Sequence, residues 1–254
     1  MSKVLVEQRG AVTVVTINRP ERRNAVDAET AVLLRDAFEQ FERDDEARVA
    51  VLTGADGGFC AGYDLHSVAD ALPPYDAAGP GPMGPTRMLL SKPVIAAVEG
   101  NAVAGGLELA LWCDLRIVSA TAVFGVFCRR WGVPLIDGGT VRLPRIIGQG
   151  RALDMILTGR PVDAQEAFGI GLANRVVLAG QAVDEAVGLA RVIAGFPQGC
   201  MKADRISAYR QWDTELPSAL VQEAEGGERP LRDEGLAGAE KFAEGAGRGG
   251  RFQE

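Results

Sequence analysis

An α/β core that gives way to an all-helical carboxyl-terminal region is the fold class predicted by this 254-residue chain. Short β-branched runs alternate with amphipathic segments, and each run is closed by a turn rich in glycine, proline or asparagine. Beyond Val177 the runs stop and helical spacing takes over. The 47% of hydrophobic residues can fill one large core, and 32 glycines imply many tight connections.

The first run spans residues 11–17, bounded by Gly10 and by Asn18-Arg19-Pro20, and reads as a strand with its exit turn. Arg19, Arg22 and Arg23 crowd the following loop, which is either a phosphate-facing surface or a solvated one. Asp27 can cap a helix running from 28 to about 43. Residues 49–53 form the next strand, and a glycine turn over 54–58 leads into Phe59-Cys60-Ala61-Gly62-Tyr63-Asp64-Leu65. Backbone exposed at those glycines frees the N–H of Tyr63 to act as a hydrogen-bond donor.

Residues 72–85 are too rich in Pro and Gly for a regular helix and read as a lid or a surface loop. A short helix is expected over 86–91, then a buried strand from Pro93 to Val98. This strand feeds the central stretch, Asn101 to Asp114, in which Gly105-Gly106 marks the start of a helix. The first N–H groups of a helix lack intrahelical partners, and the dipole adds partial positive charge, so the N–H of Gly105 can hold a developing oxyanion. Glu108 falls one turn later among Leu107, Leu109, Ala110 and Leu111, where its carboxylate can handle a proton beside that oxygen. A tightly packed glycine turn with a dipole-favoured Glu is the plainer reading, and the apolar setting of Glu108 weighs against it.

Residues 115–119 form a further strand, and 124–140 is irregular. Asp137 precedes Gly138-Gly139-Thr140 at the head of a helix over 141–147, as either its cap or an active-site carboxylate. Helical spacing at 151–158 and 164–169 precedes a last strand over 173–177. Four amphipathic helices follow, at 181–194, 200–212, 215–223 and 231–244, before a glycine-rich tail. Within the tail, Arg248 and Arg251 are either phosphate contacts or solvated charge.

Composition narrows the function. A formal net charge of −7 with no basic run argues against nucleic acid or anionic membrane as the partner. No stretch approaches the roughly 20 apolar residues that span a bilayer, and the start lacks a signal-peptide core, so a cytoplasmic location is expected. Cys60, Cys113, Cys128 and Cys200 are widely spaced and His66 is the sole histidine, which leaves no zinc site; any His-based nucleophilic triad would need His66.

The paired motifs Phe59 to Leu65 and Ala104 to Ala110, with Cys113-Asp114 after the second, resemble the crotonase (enoyl-CoA hydratase/isomerase) superfamily. Asn18-Arg19-Pro20, Asn24-Ala25, Lys92-Pro93, Gly138-Gly139-Thr140 with Arg142-Leu143, and Leu157-Thr158-Gly159 fall in family order, so the resemblance covers nearly the whole chain. It implies a spiral of ββα units forming two sheets, with residues 1–195 as the core carrying the acyl-CoA site and 196–254 as a helical trimerisation region. The assembly would be a homo-oligomer, a trimer or a dimer of trimers. The substrate would be an acyl-coenzyme A thioester, with no cofactor beyond the coenzyme it carries.

By similarity, Tyr63 and Gly105 form the oxyanion hole; Ala61, Asp64 and Leu65 surround the adenine end of the coenzyme; Arg22 and Arg23 meet its phosphates; and Phe242 reaches a neighbouring subunit's coenzyme. Hydratases of the family hold water between two glutamates. The first matches Glu108, while the place of the second is taken by Cys128. Glu108 and Asp137 could then form an alternative acid/base pair. The reading is an enoyl-CoA hydratase-like enzyme, with double-bond isomerisation, thioester hydrolysis or non-catalytic acyl-CoA binding as alternatives.

Overall fold

The computed structural model describes residues 2–70 and 76–247. Strands β1 (Val4–Arg9) and β2 (Val12–Ile17) form an antiparallel hairpin whose turn residue Gly10 has φ +69°. Only β2 carries the expected apolar run. In β1 just Val4 is buried, so the edge strand lacks the alternation by which strands are recognised.

Helix α1 (Ala28–Arg43) starts where expected, because Asp27 accepts the N–H of Thr30 at 2.8 Å. It buries Leu34, Ala37, Phe38 and Phe41, a single stripe at helical spacing. Strand β3 (Val49–Gly54) lies parallel to β2, and the turn after it leads to α2 (Leu65–Asp70). In place of the helix expected over 86–91 there is one 3-10 turn, Pro85–Arg87, after which Met88 is extended. The indole N–H of Trp112 donates at 2.9 Å to the carbonyl of Met88, which a continuing helix would have used internally.

Strand β4 (Val94–Val98) is buried throughout and pairs in parallel with β3. At Gly100, with φ +56°, the chain leaves that sheet for β5 (Asn101–Val103) and then enters α3 (Gly105–Trp112). Strand β6 (Leu115–Ser119) returns to the first sheet and β7 (Val123–Gly125) to the second. Helices α4 (Gly139–Ile147) and α5 (Gln149–Thr158), strand β8 (Val162–Asp163), helix α6 (Ala164–Gly169) and strand β9 (Arg175–Val177) follow. The larger sheet has order β1-β2-β3-β4-β6-β9, and the smaller β5-β7-β8. Strands of two or three residues make up the smaller sheet, too short for a periodic signal, so the sequence showed irregular chain there.

Packing joins these layers around α3. Phe38 of α1 meets Trp112 edge to face at 4.7 Å, and Leu107 and Leu109 are fully buried. Every residue of α3 is buried, Glu108 included.

The chain divides into two compact units, Met1–Ile193 and Ala194–Glu254, so the change falls inside α7 (Ala182–Gly195) rather than after it. The second unit contains α8 (Gln198–Arg210), α9 (Leu216–Pro230), a π turn over Leu231–Gly235 and α10 (Leu236–Ala243). Glu234 takes the N–H groups of Gly199 and Cys200, each at 2.8 Å, and so satisfies the start of α8. Residues 72–75 of the expected lid, together with Arg248 and Arg251, lie outside the described residues. Among the described residues no helix is long and apolar enough to cross a membrane, and no group of three His, Cys, Asp or Glu could hold a metal ion.

Candidate active site

Two stretches of main chain meet at the head of α3. Loop 60–64 is laced to β5 by Cys60 N–H to Asn101 O (2.8 Å) and Val103 N–H to Cys60 O (3.1 Å). On its other side, Val26 N–H donates to Gly62 O and Asp64 N–H to Val26 O, both at 2.8 Å. A Cβ on Gly106 would stand 2.1 Å from the Cys60 carbonyl oxygen, so this approach is open to glycine alone. A Cβ on Gly62 would be 3.0 Å from the Gly105 nitrogen, which places the Tyr63 and Gly105 amides as neighbours. Neither amide meets an acceptor among the described residues. Ala104, just before α3, has φ +53° and ψ −124°, a strained conformation held by the contacts around it.

A buried ion cluster supports the donor loop. Arg19 is 8% exposed; its guanidinium lies 3.0 Å from Asp64 and 3.1 Å from Asp27, and its backbone N–H donates to Asn24 Oδ1. The Asn24 amide group donates to the carbonyls of Ala55 and Gly58, fixing the glycine turn ahead of Tyr63. Burial would raise the Asp27 carboxyl, but Lys3, Thr30 and Arg19 outweigh it and hold it at about 2.

This cluster corrects one expectation. Arg19 turns inward and does not belong to the basic surface of its loop. Asp64 gives one oxygen to Arg19 and the other to the N–H of His66 (3.1 Å), so both of its oxygens already hold the loop in place. Arg22 and Arg23 remain exposed, and the Ala61 N–H donates to the Arg23 carbonyl at 3.1 Å, so Ala61 lies beside them. Leu65 is exposed at the start of α2, and Phe242 is exposed on α10.

Glu108 is 2% exposed, and its Oε1 accepts the N–H groups of Asp137 (2.9 Å) and Gly139 (2.8 Å). Its Oε2 accepts no hydrogen bond among the described residues. Burial pushes the carboxyl up to about 7; the Gly139 amide lowers it and the Asp137 charge raises it. A group at that value can both take and return a proton near neutral pH.

Cys128 lies in the 3-10 turn Phe127–Trp131, and burial followed by the charge of Glu108 raises its thiol. Asp137 is 3% exposed and is raised by burial. It does not cap α4, whose start at Gly138 has no side-chain cap. Instead its Oδ1 accepts the Met83 N–H at 3.0 Å and the Thr86 hydroxyl. The Tyr63 phenol, half-buried, is raised by burial and by the charges of Asp27, Asp64 and Asp137. Glu108, Asp137, Cys128, Tyr63 and Gly105 are thus brought together. Met83, Thr86, Arg142 and the inward role of Arg19 were missed, and Gly81 and Gly84 were the only local signal of a close approach there.

A family model described as enoyl-CoA hydratase/isomerase matches residues 7–245. An enoyl-CoA hydratase of Mycobacterium tuberculosis is 42% identical over 197 residues, covering 75% of this chain and 74% of that protein. A carnitinyl-CoA dehydratase of Proteus mirabilis is 41% identical over 189 residues, 73% of this chain and 72% of that one. The crystal structure of an enoyl-CoA hydratase from Mycobacterium tuberculosis matches with TM-score 0.89 at 34% identity, covering 95% of this chain and 96% of the other.

Proposed function

This chain belongs to the enoyl-CoA hydratase/isomerase family, and from that premise we propose that it is a cytoplasmic, enoyl-CoA hydratase-like enzyme of acyl-coenzyme A thioesters. The N–H groups of Tyr63 and Gly105 hold the thioester oxygen, and Glu108 moves the proton. The observation that carries this reading is Glu108 itself, a carboxylate tuned to about 7, tied by one oxygen and beside two unpaired amides. Negative charge that develops on the thioester oxygen as an enolate forms is met by donors already in place; losing one such donor typically costs about 3 kcal/mol in the barrier. Exposed Arg22 and Arg23 offer positive charge to the coenzyme's phosphates. The enzyme needs no cofactor beyond the coenzyme that its substrate carries.

Isomerisation is the second reading, and Cys128 favours it. Hydration adds water to the β-carbon and a proton to the α-carbon, which calls for a second acid or base on the water. A thiol raised by burial fills that role poorly, whereas Glu108 alone can take a proton from one carbon and return it to another. The apolar residues exposed on α9 and α10 support a homo-oligomer, a trimer or a dimer of trimers.

The test is a panel of acyl-CoA thioesters scored separately for binding, hydration, isomerisation and hydrolysis, with and without EDTA. Binding that survives EDTA and a hydration rate raised about tenfold or more by Cys128→Glu are expected. No binding at any chain length would refute the thioester reading, and fast native hydration indifferent to Glu108→Gln would refute the role of that carboxylate.

A further inference from the structure

Residues 81–87 cross the site as a short strap. Gly81 and Gly84 pair across a single antiparallel bridge, with Gly84 N–H to Gly81 O at 2.8 Å, and the 3-10 turn Pro85–Arg87 follows. Met83 and Thr86 are fully enclosed, at 1% and 0% exposure. The strap is fastened to the segment before α4. Arg142 bridges the two, donating to Asp137 O at 2.9 Å and to Thr86 O at 2.6 Å, and Arg87 donates to Ile136 O at 3.1 Å. A side-chain acceptor in this fastening is Asp137 Oδ1, which takes both the Met83 N–H and the Thr86 hydroxyl.

What the strap carries is the Met83 thioether. A Cβ on Gly105 would lie 2.5 Å from the Met83 sulfur, so this side chain covers the residue whose amide faces the substrate carbonyl. We propose that Asp137 is a positioning residue, holding strap 81–87 so that Met83 lies over Gly105 and limits the acyl groups admitted beside the thioester. This rests on the reading of Tyr63 and Gly105 as carbonyl donors. Two donors on one oxygen favour the ionised form of Asp137, and a proton carried by that group would weaken the bonds that hold the strap. Asparagine retains an acceptor oxygen at this place and alanine does not, so the two substitutions separate positioning from proton transfer.

The experiment uses the full chain. Hydrogen exchange over residues 81–87 and kcat/KM for a short and a long enoyl thioester are measured in the native protein, Asp137→Asn, Asp137→Ala, Thr86→Val and Met83→Ala. Asp137→Ala is expected to speed exchange of the strap about tenfold or more, with Thr86→Val moving the same way and Asp137→Asn between native and Ala. Met83→Ala and Asp137→Ala should both shift the long-to-short ratio towards the long substrate, with KM moving more than kcat. Equal loss of kcat in Asp137→Asn and Asp137→Ala, with native strap exchange and a native chain-length ratio, would overturn the proposal and make Asp137 a proton carrier. Should Asp137→Ala fail to fold, Thr86→Val and Asp137→Asn still decide through exchange. Native protein that binds no thioester would refute the donor reading alone, because the exchange comparison needs no substrate.

Discussion

The two units of this chain solve the problem of burial in opposite ways. In Met1–Ile193, α3 has no exposed residue and even its carboxylate is enclosed and hydrogen-bonded. In Ala194–Glu254, α8, α9 and α10 bury no residue at all, and Trp212, Leu216, Leu220, Leu231, Leu236 and Phe242 are exposed. A domain buries apolar surface because that burial offsets the entropy of ordering the chain, and the helices of the second unit leave much of theirs exposed. On the reading proposed above, chemistry that depends on fixed geometry belongs in the first unit and association in the second.

The sharpest test of that division is Glu108→Gln, expected to cut exchange of the substrate's α-proton with deuterated solvent by about 10²–10⁴-fold while leaving the oligomer intact. In the native enzyme that exchange should rise with pH through about 7, as Glu108 becomes the base. Equal exchange in the variant would place proton transfer elsewhere.

Stability should carry the same signature. Glu108 titrates near 7 when folded against an ordinary 4.5, so between these values the unfolded chain has released a proton that the folded chain keeps. Stability therefore falls as pH rises from 4.5 to about 7 and levels off above, by roughly 3 kcal/mol for this group. Urea titrations of native protein and Glu108→Gln across that window should differ in slope, and parallel curves would remove the buried-charge account.

Gly105→Ala comes next. It keeps the amide but drives a methyl group to 2.5 Å from the Met83 sulfur, and a displacement of this size costs about 10²-fold in kcat/KM. Adding Met83→Ala should recover part of the loss; no recovery would mean that the strap is not what Gly105 accommodates. The smallest effect is expected in the second unit. Leu216→Lys with Leu220→Lys, one turn apart on α9, should lower the oligomer mass by light scattering and the melting temperature by about 2–4 °C, with turnover per active site changing least. An unchanged mass would break the comparison, since that face would then have no partner.

Legibility in the sequence followed the same physics. Helix α1 could be read to its ends because Asp27 caps it and its buried stripe is long enough to be periodic. Gly105, Tyr63 and Glu108 were legible because a glycine pair after a buried strand, and a carboxylate inside an apolar helix, are local anomalies. Strand β1 was hidden by its exposure, and β5, β7 and β8 by their length. The partners of Asp64 and Asp137 were not legible because they lie far away in sequence, Arg19 for one and Met83 with Thr86 for the other. Sequence spacing can place such a group on an element and cannot say which oxygen is taken.

The contact between Gly106 and the Cys60 carbonyl has a consequence for how such a chain can diverge. Where backbone touches backbone there is no side chain to vary, so the paired amides are a fixed inheritance, altered only at the expense of the fold. Met83, Cys128 and Asp137 stand around them as side chains, each exchangeable on its own. On the reading proposed above, single replacements at the rim would alter which proton is moved, or which acyl group is admitted, while the donors are transmitted unchanged.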